Sequence, residues 1–179
     1  MSTKSIKDIA PKFDITLLEQ KIHNLTNKQR VAYEHRSLKF DSSLILIARK
    51  HSVDMAKNNF FSHDNFKGEG PTERGKNAGF SSRKKCGNYY IDGIAENIFQ
   101  NNLFESVTYY NGVPRYHWKT IDEIVRTTVK GWMKSPGHRK NILTSIYESE
   151  GIGVAIADNG KIYITQDFFK KFTNKNTIY

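Results

Sequence analysis

Apolar residues recur at helical spacing in three stretches of the chain, and each stretch predicts an amphipathic helix. The first helix spans about residues 17–34, and the second begins after Asp41, a preferred N-cap residue. The third covers about residues 121–134 and is expected to bury Trp132. The buried stripes of the three helices are formed by Leu18, Ile22 and Leu25, by Leu44, Ala48, His51 and Met55, and by Ile121, Ile124, Val125, Thr128 and Trp132.

Other stretches carry the pattern of β-strands. Two runs, residues 151–157 and 161–168, flank Asp158-Asn159-Gly160, which predicts a hairpin with a type I′ turn. Small residues alternate with bulky ones along the first run, so one of its faces should allow another element to pack closely. The apolar segment 94–99 predicts a largely buried strand. It contains Glu96, a carboxylate that costs free energy in such a place unless it is paired.

Residues 101–119 are rich in aromatic side chains and carry a second hairpin signal. Asn111-Gly112 lies between two β-prone runs, which is typical of a two-residue turn. Pro114 favours an edge position for the second arm, because proline cannot donate a hydrogen bond to a neighbouring strand. Aromatic runs more often pack than bind ligands, so a structural role is expected.

Helices followed by antiparallel strands around a helical middle predict an α+β fold. We expect an α-β-α sandwich in which a small antiparallel sheet is flanked by helices on both faces. The length of 179 residues suits one domain, placed at residues 16–179 after a flexible tail or tether at residues 1–15. Pro71 favours the start of a short helix, and residues 81–88 predict a flexible basic loop.

Composition narrows the function classes. The chain has 28 Lys and Arg against 18 Asp and Glu, a net charge of +10. These charges are scattered and no nucleic-acid motif accompanies them, so nucleic acid is not the expected partner; anionic polysaccharide, wall polymer or lipid headgroups are. No apolar run is long enough to cross a membrane, and no signal peptide is visible. The single Cys86 excludes an internal disulfide framework.

The strongest local signal is GWMKSPGHRKNIL at residues 131–143. Pro136 ends the preceding helix and opens the next one, with Ser135 as its N-cap. His138 then stands in the first turn of the new helix, and Gly137 leaves room for another group to approach. From position alone, an exposed polar residue on a short surface helix is an equally good interpretation of His138.

A second histidine lies where the 41–59 helix should end. Phe60 and Phe61 are expected to pack at the end of this helix and fix the chain there, so that the His63 side chain projects from the surface at a defined position. Asp64 could orient the His63 ring or simply begin the loop. His51, one of the residues on the buried stripe, is interpreted as a core-edge histidine with a hydrogen-bonded ring rather than as a ligand.

Four blocks, in order, resemble the bacterial SCP domain of the CAP superfamily, which includes cysteine-rich secretory proteins, antigen 5 and pathogenesis-related plant proteins. They are HSVDMAKNNFFSH at 51–63, AENI at 95–98, WMKSPGHRKNIL at 132–143, and the hairpin ending in YITQDF at 168. The resemblance covers about residues 17–169 and implies the α-β-α sandwich. It also implies an extracellular or cell-surface protein, with a lipid-anchored mature form left open, because bacterial members are mostly exported.

The resemblance also implies a central cleft built from His63, Glu96 and His138. Many relatives add a second acidic residue, but the position expected to supply it carries Ser135 here. Two imidazoles and a carboxylate can ligate Zn²⁺ and leave a fourth position open, so His63 and His138, with Glu96 as a third, are candidate metal ligands. A helix N-terminus favours a neutral His138, whereas Glu96 would favour its charged form. The same side chains could instead form a hydrogen-bonded cluster that only holds the cleft together.

Three functions remain open. The preferred one is an exported binding module of unknown ligand, a lipid or sterol by analogy with the relatives. The second is a metal-dependent hydrolase or protease that uses His63, Glu96 and His138, with Ser135 as a further catalytic candidate; the missing acidic residue weakens it. The third is an adhesion protein that uses residues 101–119 and the basic surface on a host or wall polymer. A monomer is expected.

Overall fold

The amphipathic stretches form helices on both sides of one sheet, in a computed structural model that describes residues 5–80, 83–86 and 89–170. The helices of this described chain are α1 Ile6–Ile9, α2 Ile15–Ala32, α3 Ser42–Asn58, α4 Pro71–Asn77, α5 Ile121–Lys134 and α6 Pro136–Leu143. Its strands are β1 Lys39–Phe40, β2 Arg83–Cys86, β3 Tyr89–Asp92, β4 Ala95–Asn102, β5 Phe104–Tyr110, β6 Val113–Trp118, β7 Ser149–Ile156 and β8 Lys161–Phe169.

The central sheet has the strand order β1-β7-β8-β4. Its pairs β7–β8 and β8–β4 are antiparallel, whereas the two-residue β1 runs parallel to β7. Successive residues of a strand point to opposite faces of the sheet. On one face, Ile164 of β8 joins a core with α2 and α5, and on the other face Tyr163 packs with Met55 of α3. The predicted α-β-α sandwich is therefore confirmed.

Trp132 anchors the larger core, as its place on the α5 stripe predicted. The indole is fully buried, and its Nε1–H donates a hydrogen bond to the carbonyl oxygen of Ile98 at 3.1 Å. Because Ile98 belongs to β4, this bond joins α5 to the strand that carries Glu96. The Trp132 side chain thus ties the end of α5 to the sheet.

The small residues of β7 allow α3 to lie directly on the sheet. A Cβ atom added at Gly151 would come within 2.2 Å of the backbone of Leu44, and one added at Gly153 within 2.0 Å of the backbone nitrogen of Arg49. Both clashes are with helix backbone, which cannot rotate away as a side chain can. The close approach predicted from the alternation of small and bulky residues is therefore present, and its partner is α3.

Both predicted hairpins form, but their turns differ. Asn111 and Gly112 have positive φ angles of 49° and 76°, as a type I′ turn requires. In the β7–β8 hairpin only Gly160 has a positive φ, 77°, and its N–H donates to the carbonyl oxygen of Ala157 at 3.0 Å. The prediction of a type I′ turn at Asp158-Asn159-Gly160 is wrong. A type I′ turn has two central residues, both with positive φ, whereas this loop has three residues and only the last of them, Gly160, has a positive φ.

Three smaller expectations need correction or completion. Strand β2, which pairs with β3, occupies part of the segment 81–88 that was predicted as a basic loop. Phe61 is exposed, so Phe60 alone of the two aromatic residues packs into the core at the end of α3. A short capped helix, α1, lies within the predicted tail. The boundaries at 1–15, 16–179 and 101–119 stay predictions, and residues 1–4, 81–82, 87–88 and 171–179 lie outside the described residues.

Candidate functional site

Glu96 is the centre of a buried cluster of ionisable side chains. It occupies the second position of β4, and its carboxylate is almost completely enclosed. Oε1 lies 2.7 Å from Nδ1 of His63, and Oε2 accepts a hydrogen bond from Nη2 of Arg74. The sequence left open whether Glu96 forms a structural ion pair or belongs to a site with His63. Glu96 makes both interactions, because Oε1 bonds to His63 and Oε2 forms the ion pair with Arg74.

Arg74 links this carboxylate to the loop that carries His63. Its Nη1 donates to the backbone carbonyl oxygens of His63 at 2.7 Å and of Glu69 at 2.9 Å. It lies on α4, which begins at Pro71 as predicted. Nothing in the sequence singled out Arg74, because its role depends on how the loop between α3 and α4 folds back over the helix.

His63 is held by its backbone and by one ring nitrogen, and its side chain is 50% exposed. The hydrogen bond to Glu96 raises its pKa, and this effect outweighs burial, which acts in the opposite direction. The protonated ring donates its Nδ1–H to Glu96 and leaves Nε2 available. Asp64 does not orient the ring; its backbone N–H bonds to the Ser62 hydroxyl instead.

His138 occupies the third position of α6, as the sequence predicted, and is partly buried. Burial lowers its pKa, and the positive charge of His63 lowers it further. Glu96 is bonded to His63 and not to His138. Of the two opposing effects expected at His138, the one that favours the neutral ring therefore prevails, and the pKa of His138 is lowered. Ser135 occupies the N-cap position of α6, but the prediction that its side chain caps the helix is wrong, since it makes no capping hydrogen bond.

Two asparagines hold α6 against β4. The side-chain amide of Asn97 donates to the backbone carbonyl oxygen of His138 at 3.1 Å, and that of Asn141 donates to the backbone carbonyl oxygen of Glu96 at 3.1 Å. Asn141 also donates to Oδ1 of Asn97 at 2.9 Å. These bonds position His138 relative to Glu96. The sequence blocks contained both asparagines, but no pattern indicated that they would meet.

A second carboxyl group lies behind Glu96. Asp167 is the cross-strand partner of Glu96 in the β4–β8 pair and is fully buried. Burial, with Glu96 as the second cause, raises its pKa well above the ordinary value. Neither of its oxygens accepts a hydrogen bond from another side chain or from the backbone. A protonated Asp167 can instead donate its own O–H to Glu96, so the two groups together carry one negative charge.

His51 completes the cluster from α3. Its Nε2 lies 2.9 Å from the carbonyl oxygen of Ser62 and 4.0 Å from Oε2 of Glu96. Because a carbonyl oxygen only accepts, Nε2 carries the proton, and burial lowers the pKa of the ring. His51 is therefore a buried, neutral, hydrogen-bonded histidine, and its interpretation from the sequence is confirmed.

The predicted zinc site does not fit this arrangement. Glu96 lies behind His63 on Nδ1 and also binds Arg74, so it orients an imidazole rather than joining two imidazoles around a shared ion. Among the side chains of residues 5–80 and 93–170, no group of three or more His, Cys, Asp or Glu is arranged to hold a metal ion. The hydrogen-bonded cluster, the alternative left open by the sequence, describes the site better.

Residues 23–168 match the model of a protein family described as CAP, the cysteine-rich secretory protein family. The chain belongs to the CAP family. It is 30% identical over 169 residues to the uncharacterized membrane protein YlbC of Bacillus subtilis strain 168, an alignment that covers 94% of this chain and 39% of YlbC. It is also 31% identical over 157 residues to the uncharacterized protein YkwD of the same organism, covering 88% and 49%. This CAP chain thus spans less than half of either relative.

Solved structures agree with the fold. An extracellular protein with an SCP domain from Bacillus anthracis aligns with a TM-score of 0.62 and 24% identity, covering 90% of this chain and 45% of that one. An outer surface protein of Borrelia burgdorferi aligns with a TM-score of 0.65 and 14% identity, covering 90% and 98%. Both show that the fold is that of a CAP domain. None of the helices described here has the length and apolar character of a membrane span.

Proposed function

We propose that this CAP domain is an exported or surface-associated binding module whose central cleft takes an anionic group of its ligand at His63 and His138. The observation that supports this most directly is the hydrogen bond between His63 and Glu96, which favours the charged imidazole on a half-exposed side chain. The location is supported by the structural neighbours, whose names describe an extracellular and an outer surface protein.

The two rings offer different chemistry. A protonated His63 can donate a charge-assisted hydrogen bond from Nε2, and such bonds to carboxylate or phosphate are stronger than neutral ones. The neutral His138 beside it adds a second polar group without adding a second charge. The net charge of +10 increases the attraction of anionic surfaces over a longer range. Lipid headgroups and wall polymers share the phosphate or carboxylate that this cleft suits, whereas a sterol lacks such a group.

Binding fits the cluster better than hydrolysis. Both oxygens of Glu96 are already engaged, and Asp167 is fully enclosed, so neither carboxyl group is free to activate water in the cleft. A general base must reach the proton that it removes. The exposed ring of His63 is bound to a carboxylate that stabilises its protonated form, which favours donation of hydrogen bonds over abstraction of protons.

The test is a titration with inorganic phosphate, followed by NMR of histidine ring resonances. Because the folded-state pKa of His63 is raised, the charged ring persists above the ordinary histidine pKa of about 6.5, and phosphate affinity should fall as pH rises through the His63 value. His63→Ala should abolish the response, whereas His117→Ala, on the exposed β5–β6 hairpin, should preserve it. Equal affinity at about pH 5.5 and pH 8.5 would contradict the proposal.

Vesicles then separate the sources of the anionic group. Phosphatidylglycerol vesicles should retain the wild-type protein more strongly than phosphatidylcholine vesicles if the natural ligand is a headgroup. A purified anionic wall polymer should do so if it is a polymer. In either case, retention by the His63→Ala variant should fall.

Adhesion through the β5–β6 hairpin is a second candidate function. Tyr109, Tyr110 and Val113 lie at its tip with most of their side-chain surface exposed, and the Arg115 guanidinium lies over the Tyr110 ring at 4.7 Å. Exposed aromatic and basic groups of this kind can contact a polymer surface. Replacing Tyr109 and Tyr110 by serine should reduce retention on wall polymer if the hairpin binds it, and should leave phosphate binding at His63 unchanged.

A further inference from the structure

A cavity of about 660 Å³ lies on the outer side of α3. Its other wall is formed by the loop and helix that follow α3, residues 65–80. Small-molecule sites in proteins commonly have this volume and are lined mainly by apolar side chains with a few polar groups. None of His63, Glu96 or His138 lines this cavity, so it is a separate candidate site, referred to below as the α3 cavity.

The helix wall of the α3 cavity is a stripe on the face of α3 that does not pack on the sheet. Leu46, Lys50, Val53 and Lys57 follow one another at helical spacing, so apolar and basic side chains alternate along it. Leu46 is 64% exposed although it is a large aliphatic residue. Leu46 does not contribute to the face of α3 that packs on the sheet, so its apolar side chain is available to a ligand.

The opposite wall holds a phenylalanine out into solvent. Phe66 is 71% exposed, and its ring contacts that of Phe60 at 4.6 Å between centroids. The loop that carries it is organised by Asn65, whose side-chain oxygen accepts hydrogen bonds from the N–H groups of Lys67 at 2.9 Å and Glu69 at 3.0 Å. The ring is thus presented by an ordered turn. Leu46, Val53 and Phe66 are all large exposed apolar residues on one concave surface, which is a recognition feature rather than ordinary scatter.

Three ammonium groups surround this apolar surface. Lys50, Lys57 and Lys67 line the α3 cavity, and within the described chain none of their side chains takes part in an ion pair or hydrogen bond. Asp54 and Glu69 also line it, but their carboxylates already accept hydrogen bonds from asparagine amides, at 2.7 Å from Asn58 for Asp54 and at 2.8 Å from Asn65 for Glu69. Bonds from neutral amides leave both carboxylates charged, so the three lysines exceed the two acids by one positive charge, and of these five charged groups only the ammonium groups lack a hydrogen-bond partner.

At the floor of the cavity lie His51 and Arg74, both buried. Each keeps one polar atom without a hydrogen-bond partner, Nδ1 of His51 and Nε of Arg74. Buried polar groups are normally satisfied, so these two atoms indicate hydrogen-bonding capacity that the protein itself does not use. The same two side chains contact Glu96 with their other nitrogens.

We propose that the α3 cavity is a second binding site, for a small molecule that has an apolar body and one carboxylate group. The apolar body covers Leu46, Val53 and Phe66, and the carboxylate is attracted by the lysine ammonium groups at the rim. Burying exposed apolar area supplies the affinity, and the cationic rim selects acids over neutral or basic molecules of the same shape. The site uses neither His63 nor His138, although its floor residues His51 and Arg74 contact Glu96 of the cleft from the other side.

The test is a titration of the full chain with decanoate, followed by backbone amide NMR and calorimetry, with decylammonium as the matched probe of opposite charge. Decanoate should shift the amide resonances of α3 and of the 65–69 turn. Leu46→Ser and Phe66→Ser should each weaken decanoate binding about tenfold, which corresponds to about 1.4 kcal/mol. Both residues are exposed, so these variants should fold normally. Replacing Lys50, Lys57 and Lys67 together by glutamine should remove the preference for decanoate over decylammonium.

Matched controls make the result specific. Val31→Ser changes an exposed apolar residue on α2 outside the cavity and should leave decanoate binding unchanged. His63→Ala should also bind decanoate normally, so a failure of the anion cleft and a failure of the α3 cavity give different results. The proposal is overturned if decanoate does not bind, if it binds with shifts away from α3, or if decylammonium binds equally well to the wild type.

Discussion

The paired carboxyl groups of Glu96 and Asp167 lead to a prediction about how buried charge is shared. Glu96 binds the buried guanidinium of Arg74, and Asp167 stays protonated because of burial and the charge of Glu96. Arg74 acts on Asp167 in the opposite direction and lowers its pKa. If Glu96→Gln removes the first carboxylate, Asp167 should therefore ionise and compensate the charge of Arg74.

The magnitudes follow from that exchange. A buried charge that loses its partner costs about 3–5 kcal/mol. With Asp167 as a substitute partner, Glu96→Gln should cost only about 1–2 kcal/mol, mainly for weakened hydrogen bonds to His63 and Arg74. Asp167→Asn keeps a neutral group of the same shape, so its lost contacts should cost about 1 kcal/mol or less, and at about pH 7 this cost is offset because Asn no longer has to be kept protonated. The double variant leaves Arg74 without a carboxylate, and its cost should reach about 3–5 kcal/mol.

Urea unfolding at about pH 7, followed by tryptophan fluorescence, measures all four proteins of this double-mutant cycle. The double variant should lose at least about 1 kcal/mol more than the sum of the single variants. Glu148→Gln, which removes an exposed carboxylate bonded to Lys170, is the control and should change the unfolding free energy by less than about 0.5 kcal/mol. Additive single effects, or a Glu96→Gln variant as unstable as the double one, would show that Asp167 does not replace Glu96.

Three further predictions concern stability and use the same unfolding measurement. Gly153→Ala should lower the unfolding free energy by about 3 kcal/mol, because the added Cβ meets the backbone of α3. Gly137→Ala places its Cβ in open space and should be neutral or stabilising by up to about 1 kcal/mol. Equal effects of the two variants would contradict the close packing of α3 on β7. Trp132→Ala should cost about 3–5 kcal/mol and Pro136→Ala much less, so equal losses would mean that the corner is held differently. The folded-state pKa of Asp167 is raised, so the contribution of this carboxyl group to stability is complete below the unfolded pKa of about 3.9 and is lost as pH rises. Above about pH 4, Asp167→Asn should therefore gain stability relative to the wild type, by up to about 1.4 kcal/mol per pH unit. A difference in unfolding free energy between the two proteins that does not change with pH would refute this.

The helices were predictable because each buries one stripe at a regular spacing. The residues expected on the inner face of α3, from Leu44 to Met55, are buried, and α5 has the predicted bounds. N-cap residues also made a helix start predictable, since the Asp41 side chain accepts hydrogen bonds from the N–H groups of Ser43 and Leu44 at the beginning of α3. These are local effects, encoded within one or two turns of chain, and a periodic pattern records them directly.

The site was only partly predictable, because its other half depends on contacts between distant segments. The helix start at Ser135 and Pro136 placed His138 correctly in the first turn of α6, and the resemblance brought His63 and Glu96 together. It gave no reason to expect Asp167 behind Glu96, since that neighbour follows from the register of β4 against β8. Arg74 was missed because its position depends on a loop that only tertiary contacts fold. The turn at Gly160 was misjudged for a related reason, since two loop lengths fit the same three residues.

The missing second acidic residue of the family pattern changes what the remaining carboxylate can do. Glu96 is the only carboxylate bonded to His63 in the described part of the chain, and it also binds Arg74. It therefore stabilises a positive charge on His63 and has little capacity left for a metal ion or a substrate proton. Because the charge on His63 in turn lowers the pKa of His138, a single buried carboxylate sets different protonation states for the two rings. One charged donor beside one neutral ring is suited to holding an anion in place, and this asymmetry is why we propose that the cleft binds an anionic group.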